Sequence, residues 1–256
     1  MPEGDTLVRT ADGLRPYLVG RTVTAASARA PGPRLERLVG TTVTAVEAAG
    51  KNLLIRFDNG LEVRTHLRMH GSWHRYRPGE RWRLPPARAR LVIEVPGSVA
   101  VCFDAPVVEL LEQRAEGLHP ALSRLGPDLL KDPVDTEEIV RRLRDPSRAD
   151  LSIAEALLDQ RALAGIGNEV RNEVLWQARV SPWSLVRDHD EVALRVLIGL
   201  ARDVLREGAA TGRRPRHVYR RAGRPCPRCG AMIRIERQGR DTPRLTFWCP
   251  TCQPRS

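Results

Sequence analysis

Four cysteines near the carboxyl end constrain the fold of this chain more than any other feature. They follow the pattern C-x2-C-x19-C-x2-C and are Cys226, Cys229, Cys249 and Cys252. Two such knuckles supply the four thiolates of a tetrahedral zinc ion, and the residues between them can form the hairpin of a zinc ribbon. Because all four ligands are cysteines, no coordination position stays open, and the zinc is predicted to be structural. An iron–sulfur cluster is the alternative, which the compact knuckles within a hairpin disfavour.

The positive charge of the chain is concentrated in the same region. Of 256 residues, 42 are Lys or Arg and 31 are Asp or Glu, for a formal net charge of +11. Residues 211–256 contain twelve Arg against Glu236 and Asp241, so they carry +10 of this charge. A nearly neutral body with a compact basic tail indicates a surface that binds nucleic acid. Cysteines spaced for metal, and no signal peptide or apolar run of the roughly 18 residues a membrane span needs, predict a soluble intracellular protein without a membrane partner.

The first hundred residues have the pattern of a β-sandwich preceded by a helix. Leu7, Ala11, Leu14 and Leu18 form one apolar stripe of a predicted amino-terminal helix. Short apolar runs predict strands at 43–46, 53–57, 61–67, 91–95 and 99–103, with turns at 58–60 and 96–97. Short strands at this spacing predict two packed sheets with the helix against them.

After a linker rich in Pro and Gly at 117–127, the pattern becomes helical. Helices are predicted at 137–144 after a Thr136 cap, at 153–158, at 168–176, and at 192–206 with an end at Gly208. The last 40 residues are predicted to be short strands around the four cysteines. We therefore expect an α+β multidomain chain, with a β-sandwich domain over 1–118, a helical domain over 119–216 and a zinc finger over 217–256.

Pro2 and Glu3 are candidates for covalent chemistry. Pro2 follows the initiator Met in a context in which that Met is normally removed, which leaves a free secondary amine. An α-amino group titrates at about pH 7.7–8.0, so part of it is unprotonated and nucleophilic near neutrality. Attack of this amine on a sugar carbon gives a cationic iminium that favours elimination, and Glu3 can move the protons. Because most chains that begin Met-Pro-Glu use neither residue chemically, an inert terminus stays open as the alternative.

Lysine is almost absent from the chain. Only Lys51 and Lys131 occur, against 40 Arg. A lysine amine can lose its proton when it is desolvated, whereas an arginine cannot, so a retained lysine is a candidate for amine chemistry. Lys51 is predicted at the head of the strand 53–57, pointing into an edge or cleft of the sandwich, and a snorkelling surface lysine is the alternative.

A Gly-x-Gly turn at 165–167 joins two of the predicted helices. Such a turn exposes backbone N–H groups at a helix N-terminus, where a DNA phosphate can bind. Asn168 directly after the turn adds a side-chain donor. A tight helical corner without a ligand is the alternative.

Together these segments resemble the formamidopyrimidine-DNA glycosylase / endonuclease VIII family of base-excision repair enzymes over essentially the whole chain. Five motifs carry the resemblance, in the family's order: P-E-G at 2–4, G-K-N-L-L at 50–54, H-P…R-L-G-P-D at 119–128, L-L-D-Q…L-A-G-I-G-N at 157–168, and the four-cysteine finger. The P-E-G-D-T start is similar to an actinobacterial-type branch on the endonuclease VIII side. Each motif alone is modest, but five in this order are specific.

The resemblance implies a fold and an activity. The fold is a β-sandwich, a helix–two-turn–helix domain and a zinc finger that hold DNA between them. The activity is that of a bifunctional DNA glycosylase and abasic-site lyase, with no redox or nucleotide cofactor. Pro2 is implied as the Schiff-base nucleophile, Glu3 as the general acid/base, and Lys51 as a catalytic amine that contacts phosphate.

The resemblance also implies DNA contacts outside the catalytic group. Asn168 holds the backbone near the lesion, and Arg244 in the finger contacts the phosphates that flank the flipped nucleotide, with Arg240 as the weaker candidate for that role. Met69 is the candidate to wedge into the vacated base stack, and a core methionine is the alternative. The partner is damaged duplex or single-stranded DNA, bound by a monomer in the bacterial cytoplasm and on the nucleoid.

Two departures from the family pattern bear on activity. The family usually has a second Glu at position 6, and this chain has Thr6, so a carboxylate for a second proton relay is missing there. The loop expected at 104–110 has neither Arg nor an aromatic residue to read the base opposite a lesion, which predicts a preference for oxidised pyrimidines over 8-oxoguanine. The alternative class is a non-catalytic zinc-ribbon DNA-binding protein that retains the family fold.

Overall fold

The computed structural model describes residues 2–239 and 243–255. The chain divides into two compact units, Met1–Ser123 and Arg124–Ser256. None of the helices in the described ranges combines the length and the apolar character that a bilayer-spanning helix needs.

The first unit begins with a helix and continues as strands that form two four-stranded sheets. Its elements are α1 (Gly4–Leu18), β1 (Ala25–Ala28), β2 (Val43–Ala49), β3 (Asn52–Phe57), β4 (Leu61–His66), β5 (Ser72–Tyr76), β6 (Ala89–Val95), β7 (Ser98–Phe103) and β8 (Val107–Glu112). Sheet one has the order β1-β6-β7-β5 and sheet two the order β2-β3-β4-β8, with all neighbours antiparallel. The predicted β-sandwich with a flanking helix is confirmed.

One apolar core fills the space between the two sheets and α1. The predicted stripe of Leu7, Ala11, Leu14 and Leu18 is buried in this core, together with alternate residues of both sheets. Burying a leucine side chain of this kind contributes about 1.5–3 kcal/mol to the free energy of folding. The periodicity therefore identified the buried face of α1 correctly.

Strand β7 is buried on both faces, which gives the first unit a second apolar cluster. Ala100 and Cys102 face the main core, whereas Val101 and Phe103 pack in a smaller cluster on the outer face of sheet one with Tyr76. Cys102 is a buried thiol, as expected, and its burial raises its pKa. The segment between β5 and β6 covers this outer cluster.

The second unit contains the helices and the cysteine cluster. Its elements are α2 (Thr136–Leu143), α3 (Ile153–Ala156), α4 (Asn168–Gln177), α5 (Glu191–Thr211), β9 (Arg234–Gln238) and β10 (Arg244–Trp248). The helices share one apolar core, and a smaller cluster with Phe247 and Cys249 lies where the β9–β10 hairpin packs on α4. The expected helical region and four-cysteine finger are confirmed.

Two helix ends differ from the prediction. The cap of α2 is Asp135 rather than Thr136, because the Asp135 carboxylate accepts the Glu138 backbone N–H at 2.9 Å. Helix α5 passes through Gly208 and ends at Gly212, whose φ of 73° forms the left-handed cap. Glycine destabilises a helix interior only weakly, so Gly208 lies within α5 and does not end it.

Candidate active site and nucleic-acid interface

Glu3 caps helix α1 and holds Pro2 at its N-terminus. The Glu3 side chain is fully buried, and its backbone carbonyl accepts N–H groups from Thr6 at 3.0 Å and Leu7 at 3.2 Å. The Thr6 hydroxyl, which stands where the family usually has a second Glu, accepts the Glu3 backbone N–H at 3.4 Å. Thr6 therefore has a capping role here. Pro2 itself is half-buried, with a buried carboxylate as its sequence neighbour.

The sequence placed Lys51 at the head of the strand 53–57. In the structure it lies in the turn between β2 and β3, one residue before β3 begins. The strands pair Ala49 with Asn52, which leaves Gly50 and Lys51 as the two turn residues, and Gly50 has a φ of 57°. A left-handed residue is what such a tight hairpin requires. The Lys51 side chain is half-buried rather than fully extended into solvent.

Helix α1 runs antiparallel to β2, which brings its N-terminus to the end of the sandwich that carries Lys51. The Gly20 N–H binds the Val43 carbonyl at 2.8 Å, and the Arg15 guanidinium binds the Val46 carbonyl at 3.0 Å. From Arg15 back to the helix start is about 17 Å at 1.5 Å per residue. From Val46 to the turn is about 13–16 Å at 3.3 Å per residue. The two candidate amines therefore lie at the same end of the first unit.

A buried polar network fixes the Lys51 turn. Asn52 donates from Nδ2 to the Ala49 carbonyl at 2.9 Å, and its Oδ1 accepts from Arg64 Nε at 3.0 Å. Arg64 in turn pairs with Glu109 on β8, and His119 Nε2 lies 3.3 Å from the same carboxylate. The network joins three neighbouring strands of sheet two, so it limits the positions that the turn can take.

His66 is a site residue that no sequence motif identified. It ends β4, directly opposite Asn52, and Lys51 is one of the charges that act on it. Burial, together with the cations of Arg68, Arg64 and Lys51, lowers the pKa of His66 to about 4. Its Nδ1 accepts the Arg68 N–H at 3.1 Å, so the neutral ring has its proton on Nε2. This geometry provides a neutral donor near Lys51 that can bind an anionic oxygen.

Met69 lies at an exposed turn between β4 and β5. Its side chain is 47% exposed, which excludes the core-methionine alternative. Arg68 before it has a φ of 50°, and the Gly71 N–H closes the turn on the Leu67 carbonyl at 2.9 Å. A Cβ at Gly71 would lie 2.7 Å from that carbonyl oxygen, so the turn requires glycine. Met69 is thus presented outward by a tight turn.

The stretch that was expected to be a loop at 104–110 is mostly strand. Strand β8 begins at Val107 and pairs with β4, so that Val107 and Val108 lie opposite His66 and Thr65. Only residues 104–106 connect β7 to β8. The loop prediction is wrong because β8 is an edge strand whose residues are half-buried one after another, without the alternation of buried and exposed positions that marks a strand in sequence.

In the second unit, Asn168 begins α4 and is tied to the finger. Its Nδ2 donates to the Leu245 carbonyl at 2.9 Å, and its Oδ1 is buried without a hydrogen-bond partner in the described residues. Asn172, one turn later, accepts the Phe247 N–H at 2.7 Å, and Arg171 donates to Thr246 Oγ1 at 2.8 Å. The polar side of α4 therefore fixes β10, the strand that starts at Arg244.

The turn before α4 is held by a glutamine from the L-L-D-Q motif. Gln160 donates to the carbonyls of Leu158 and Ile166, both at 3.0 Å, and accepts the Gly165 N–H at 3.2 Å. Gly165 has a φ of 107°, which only glycine adopts readily. The role of this motif in the structure is to shape the corner that presents the N-terminus of α4.

Arg244 is exposed at the start of β10, opposite Gln238 of β9. Gln238 is buried and binds Thr246, Ser152 and the Pro182 carbonyl, which anchors this end of the hairpin to the helices. Arg244 therefore projects from a fixed strand. Arg240, the weaker candidate for the same role, lies outside the described residues.

The four cysteine Sγ atoms form a cluster that fits one metal ion. All four lie within 4.8 Å of one another, with Cys226–Cys252 at 4.0 Å and Cys229–Cys249 at 3.4 Å. Ligands at about 2.3 Å from a tetrahedral ion are about 3.8 Å apart, which agrees with this spacing. Burial and the neighbouring thiols raise the pKa of Cys252 to about 12, so a cation is what allows four thiolates to coexist.

Helix α4 also contacts the cysteine cluster directly. Trp176 Nε1 donates to Cys226 Sγ at 3.4 Å, and the indole is covered by the His217 ring at 4.4 Å and by the Arg228 guanidinium at 4.1 Å. Burial opposes ionisation of Cys226, but hydrogen bonds from Trp176 and from the backbone N–H groups of Arg228 and Cys229 outweigh it and lower its pKa to about 6. One helix thus holds both Asn168 at its start and the cluster near its end.

Comparison with known proteins places this chain in one family. Residues 1–106 match the formamidopyrimidine-DNA glycosylase N-terminal domain, and residues 125–218 match the formamidopyrimidine-DNA glycosylase H2TH domain. The fold is also that of formamidopyrimidine-DNA glycosylase from Lactococcus lactis bound to DNA containing an abasic site. The TM-score is 0.85 with 22% identity, over 99% of this chain and 100% of that chain.

Curated relatives match along nearly their whole length. A probable endonuclease 8 2 of Streptomyces coelicolor is 41% identical, over 99% of this chain and 94% of that protein. The DNA-(apurinic or apyrimidinic site) lyase Nei2 of Mycolicibacterium smegmatis is 36% identical over the full length of both chains. Endonuclease 8 of Escherichia coli is 33% identical, over 99% of this chain and 100% of that protein. The chain belongs to the formamidopyrimidine-DNA glycosylase / endonuclease VIII family.

Proposed function

We infer that this chain is a bifunctional DNA glycosylase and abasic-site lyase of base-excision repair. The observation that carries the inference is the Pro2-Glu3 pair, fixed at the N-terminus of α1 at the same end of the sandwich as Lys51. Membership of the family, and a relative 36% identical that is named as an abasic-site lyase, support it.

The proposed chemistry starts at the Pro2 nitrogen. The unprotonated secondary amine attacks C1′ of the damaged nucleotide, the C1′–N bond to the base breaks, and the base leaves with a proton. The amine nitrogen then loses its proton and the C1′–O4′ bond opens as O4′ takes up a proton, which leaves an iminium at C1′. The iminium acidifies the C2′ hydrogen, and loss of that proton expels the 3′ phosphate by β-elimination; δ-elimination then expels the 5′ phosphate. The buried carboxyl of Glu3 serves as the group that moves protons in these steps.

The remaining site residues hold the DNA. Lys51 and the neutral His66 beside it bind a phosphate of the damaged strand, and Asn168 and Arg244 bind phosphates that flank the flipped nucleotide. Met69 fills the space that the extruded base leaves, for which its exposed turn is suited. The network of Asn52, Arg64 and Glu109 keeps the Lys51 turn in position.

We further propose that the four cysteines hold one structural zinc ion. The four thiolates leave no open coordination position, so the metal orders the finger and takes no part in the reaction. The sequence division into a sandwich over 1–118, a helical domain over 119–216 and a finger over 217–256 is retained as a functional division. The protein acts as a monomer on duplex or single-stranded DNA in the bacterial cytoplasm.

A borohydride experiment tests this function against the non-catalytic alternative. The purified chain is incubated with duplex DNA containing an abasic site, in the presence of sodium borohydride, which reduces the iminium to a stable covalent adduct. We expect a trapped protein–DNA adduct, and without borohydride a cleaved strand with phosphate on both ends of the gap. A protein that binds the abasic duplex but neither traps nor cleaves it is a zinc-ribbon binding protein instead.

The structure supports a specific lesion preference. Residues 104–110 lack an arginine or aromatic side chain, and Val107 and Val108 are committed to pairing with β4. This segment therefore offers no bidentate donor to a cytosine opposite the lesion. We expect thymine glycol and dihydrouracil to be excised faster than 8-oxoguanine paired with cytosine, as measured by single-turnover cleavage. Faster excision of 8-oxoguanine contradicts this assignment.

A second prediction concerns Arg244, the candidate DNA-binding arginine of the finger. Arg244→Ala is expected to weaken binding to abasic-analogue duplex about tenfold at moderate salt, and to flatten the slope of log K against log salt by about 0.9. Arg234→Ala removes the same charge from the opposite end of the hairpin and is the matched control. Equal effects of the two variants mean that Arg244 acts only through general charge.

A further inference from the structure

A basic strap connects β5 to β6 on the outer face of sheet one. We define the strap as residues 77–88, which contain a single acidic residue, Glu80, and four arginines, Arg77, Arg81, Arg83 and Arg88. Residues 1–210 contain nearly equal numbers of basic and acidic residues, so this local excess is unusual for the first unit. None of the five family motifs includes the strap.

Aromatic packing holds the strap in place. Trp82 stacks on Tyr76 with ring centroids 6.1 Å apart and lies edge-on to Phe103 at 5.8 Å. The Tyr76 hydroxyl accepts the Arg83 backbone N–H at 3.1 Å. Because Trp82 is turned toward the sheet, Arg81 before it and Arg83 after it are exposed to solvent. The strap is therefore a fixed scaffold that presents cations, and its arginines are not needed for its packing.

Three of the four strap arginines are available to an external anion. Arg88 is paired with Asp104. Within the described part of the chain, Arg77, Arg81 and Arg83 take part in no ion pair, and Glu80 instead accepts the Arg77 backbone N–H at 2.8 Å. Exposed guanidinium groups without a carboxylate partner match phosphate oxygens in both charge and geometry.

The strap is continuous with the turn that carries Met69. Ala89, directly after Arg88, and Ser72, directly after the Met69 turn, lie on the two sides of Phe103 in sheet one. This end of the strap therefore adjoins the Met69 turn. The other end begins after Tyr76, one length of β5 away, or about 13 Å at 3.3 Å per residue. That distance corresponds to roughly four phosphates of one DNA strand, which are about 3.4 Å apart along the axis.

We propose that Arg77, Arg81 and Arg83 of the strap bind backbone phosphates of duplex DNA roughly four base pairs from the nucleotide at which Met69 inserts. The proposal rests on the proposed function for the position of Met69 on the DNA. It extends the footprint of the protein beyond the nucleotides that the active site itself holds. The contact carries no sequence information, since only phosphates are bound.

Duplex DNA fits the strap better than other anionic partners. Proteins that track single strands stack bases on exposed aromatic rings, whereas the ring of Trp82 is used against Tyr76 and Phe103. An acidic peptide would satisfy the charge, but it would not explain why the strap ends beside the Met69 turn. The duplex backbone accounts for both the charge and its placement.

The double variant Arg81→Ala/Arg83→Ala tests the proposal. Binding is measured by fluorescence anisotropy on two duplexes with an uncleavable abasic analogue, one long on both sides of the lesion and one, the short duplex, that ends roughly two base pairs from the lesion on the side that the strap reaches and keeps a long arm on the other side. On the long duplex we expect about tenfold weaker binding at about 0.1 M salt and a salt slope flatter by about 1–2 units. On the short duplex we expect the variant to bind as tightly as the wild-type protein does, since that duplex has no phosphates within reach of the strap. Arg81→Lys/Arg83→Lys should restore most of the affinity.

The matched control is Arg21→Ala/Arg37→Ala, which removes two exposed arginines from the same unit. Arg21 and Arg37 lie beside Val43 and Asn59, at the end of sheet two opposite the Lys51 turn. This control should leave both affinities within twofold of wild type. Equal losses in the two variants, or equal losses on both duplexes, overturn the proposal. Unchanged DNA affinity with lost binding of an acidic peptide assigns the strap to a protein partner and also overturns it.

The proposed function and the strap can fail independently. Borohydride trapping on the short duplex reports the chemistry at Pro2 and does not involve the strap. If a strap variant traps normally on the short duplex but binds the long duplex weakly, the result supports both the glycosylase/lyase function and the strap contact. A wild-type protein that does not trap on either duplex rejects the glycosylase/lyase function, while the difference between the two duplexes still measures the strap contact.

Discussion

Replacing Pro2 by glycine is expected to lower base excision and the yield of borohydride-trapped adduct by about 100-fold or more. Glycine still provides an amine, but a primary one without the ring that fixes its direction. A secondary amine forms an iminium that has no N–H to lose and therefore stays cationic, whereas the imine of a primary amine must first be protonated. Both differences weaken the electron sink on which elimination depends. Single-turnover cleavage of thymine glycol duplex measures the loss.

Glu3→Gln provides an independent test of the same site. The buried glutamine keeps the shape of the helix cap but cannot exchange a proton, so we expect a loss of about 10²–10⁴-fold in base excision. Glu36→Gln, at an exposed carboxylate of the same unit, is the matched control and should behave as wild type. Both Pro2→Gly and Glu3→Gln should still bind abasic-analogue duplex. If Pro2→Gly traps as well as wild type, the nucleophile is either the N-terminal amine of the introduced glycine or another amine, and adding Lys51→Gln to this variant identifies whether it is Lys51.

The parts of the fold that could be predicted from sequence are those set by neighbouring residues. The apolar stripe of α1 follows from spacing along one helix, and the two-residue turn at 96–97 follows from turn chemistry, with Val95 paired to Ser98 as such a hairpin requires. The edge strand β8 was missed because pairing with β4, more than 40 residues earlier, decides its conformation. Local propensity does not contain that information.

Helix α4 shows a second limit of prediction from sequence, which concerns the burial of polar residues. Every residue from Asn168 to Trp176 is buried, yet five of the first six are charged or amide side chains. A solvated face is the usual interpretation of such a pattern. The partners that make burial possible come from far along the chain: Glu169 pairs with Arg216, and Glu173 accepts the N–H groups of Val218 and Tyr219. Buried polar groups are stable only when such partners exist, and these partners cannot be read from the helix itself.

The residues of the candidate site also fall into two groups, those that a local motif identifies and those that only tertiary contacts identify. Pro2, Lys51 and the cysteines could be found because each stands in a short motif with its own chemistry. His66 could not, since its low pKa depends on burial beside Arg64, Arg68 and Lys51. The same holds for Glu109, which reaches Arg64 only because β8 joins the sheet. Motifs identified reactive groups, and tertiary pairing determined what surrounds them.

Cys249→Ser is expected to release the metal and disorder the finger while the rest of the second unit stays folded. The finger has only a small apolar cluster of its own around Phe247 and Ile233, so packing alone offers little to replace the metal. Structural zinc supplies about 10–16 kcal/mol of apparent binding energy in small zinc-finger peptides, far more than such a cluster. We expect zinc content to fall from one per chain toward zero, with proteolysis confined to the finger.

Loss of the finger should then abolish tight binding to abasic duplex, because β10 presents Arg244 and α4 is fixed to β10 through Asn168 and Asn172. The matched control is Cys102→Ala, which removes a buried cysteine of the sandwich core that is not one of the four cluster thiols. That variant should keep its zinc and its DNA affinity even if its melting temperature falls. A Cys249→Ser protein that retains one zinc per chain and binds DNA as wild type would mean that the remaining three thiolates suffice. In that case, the finger is held by its contacts with α4 rather than by the metal.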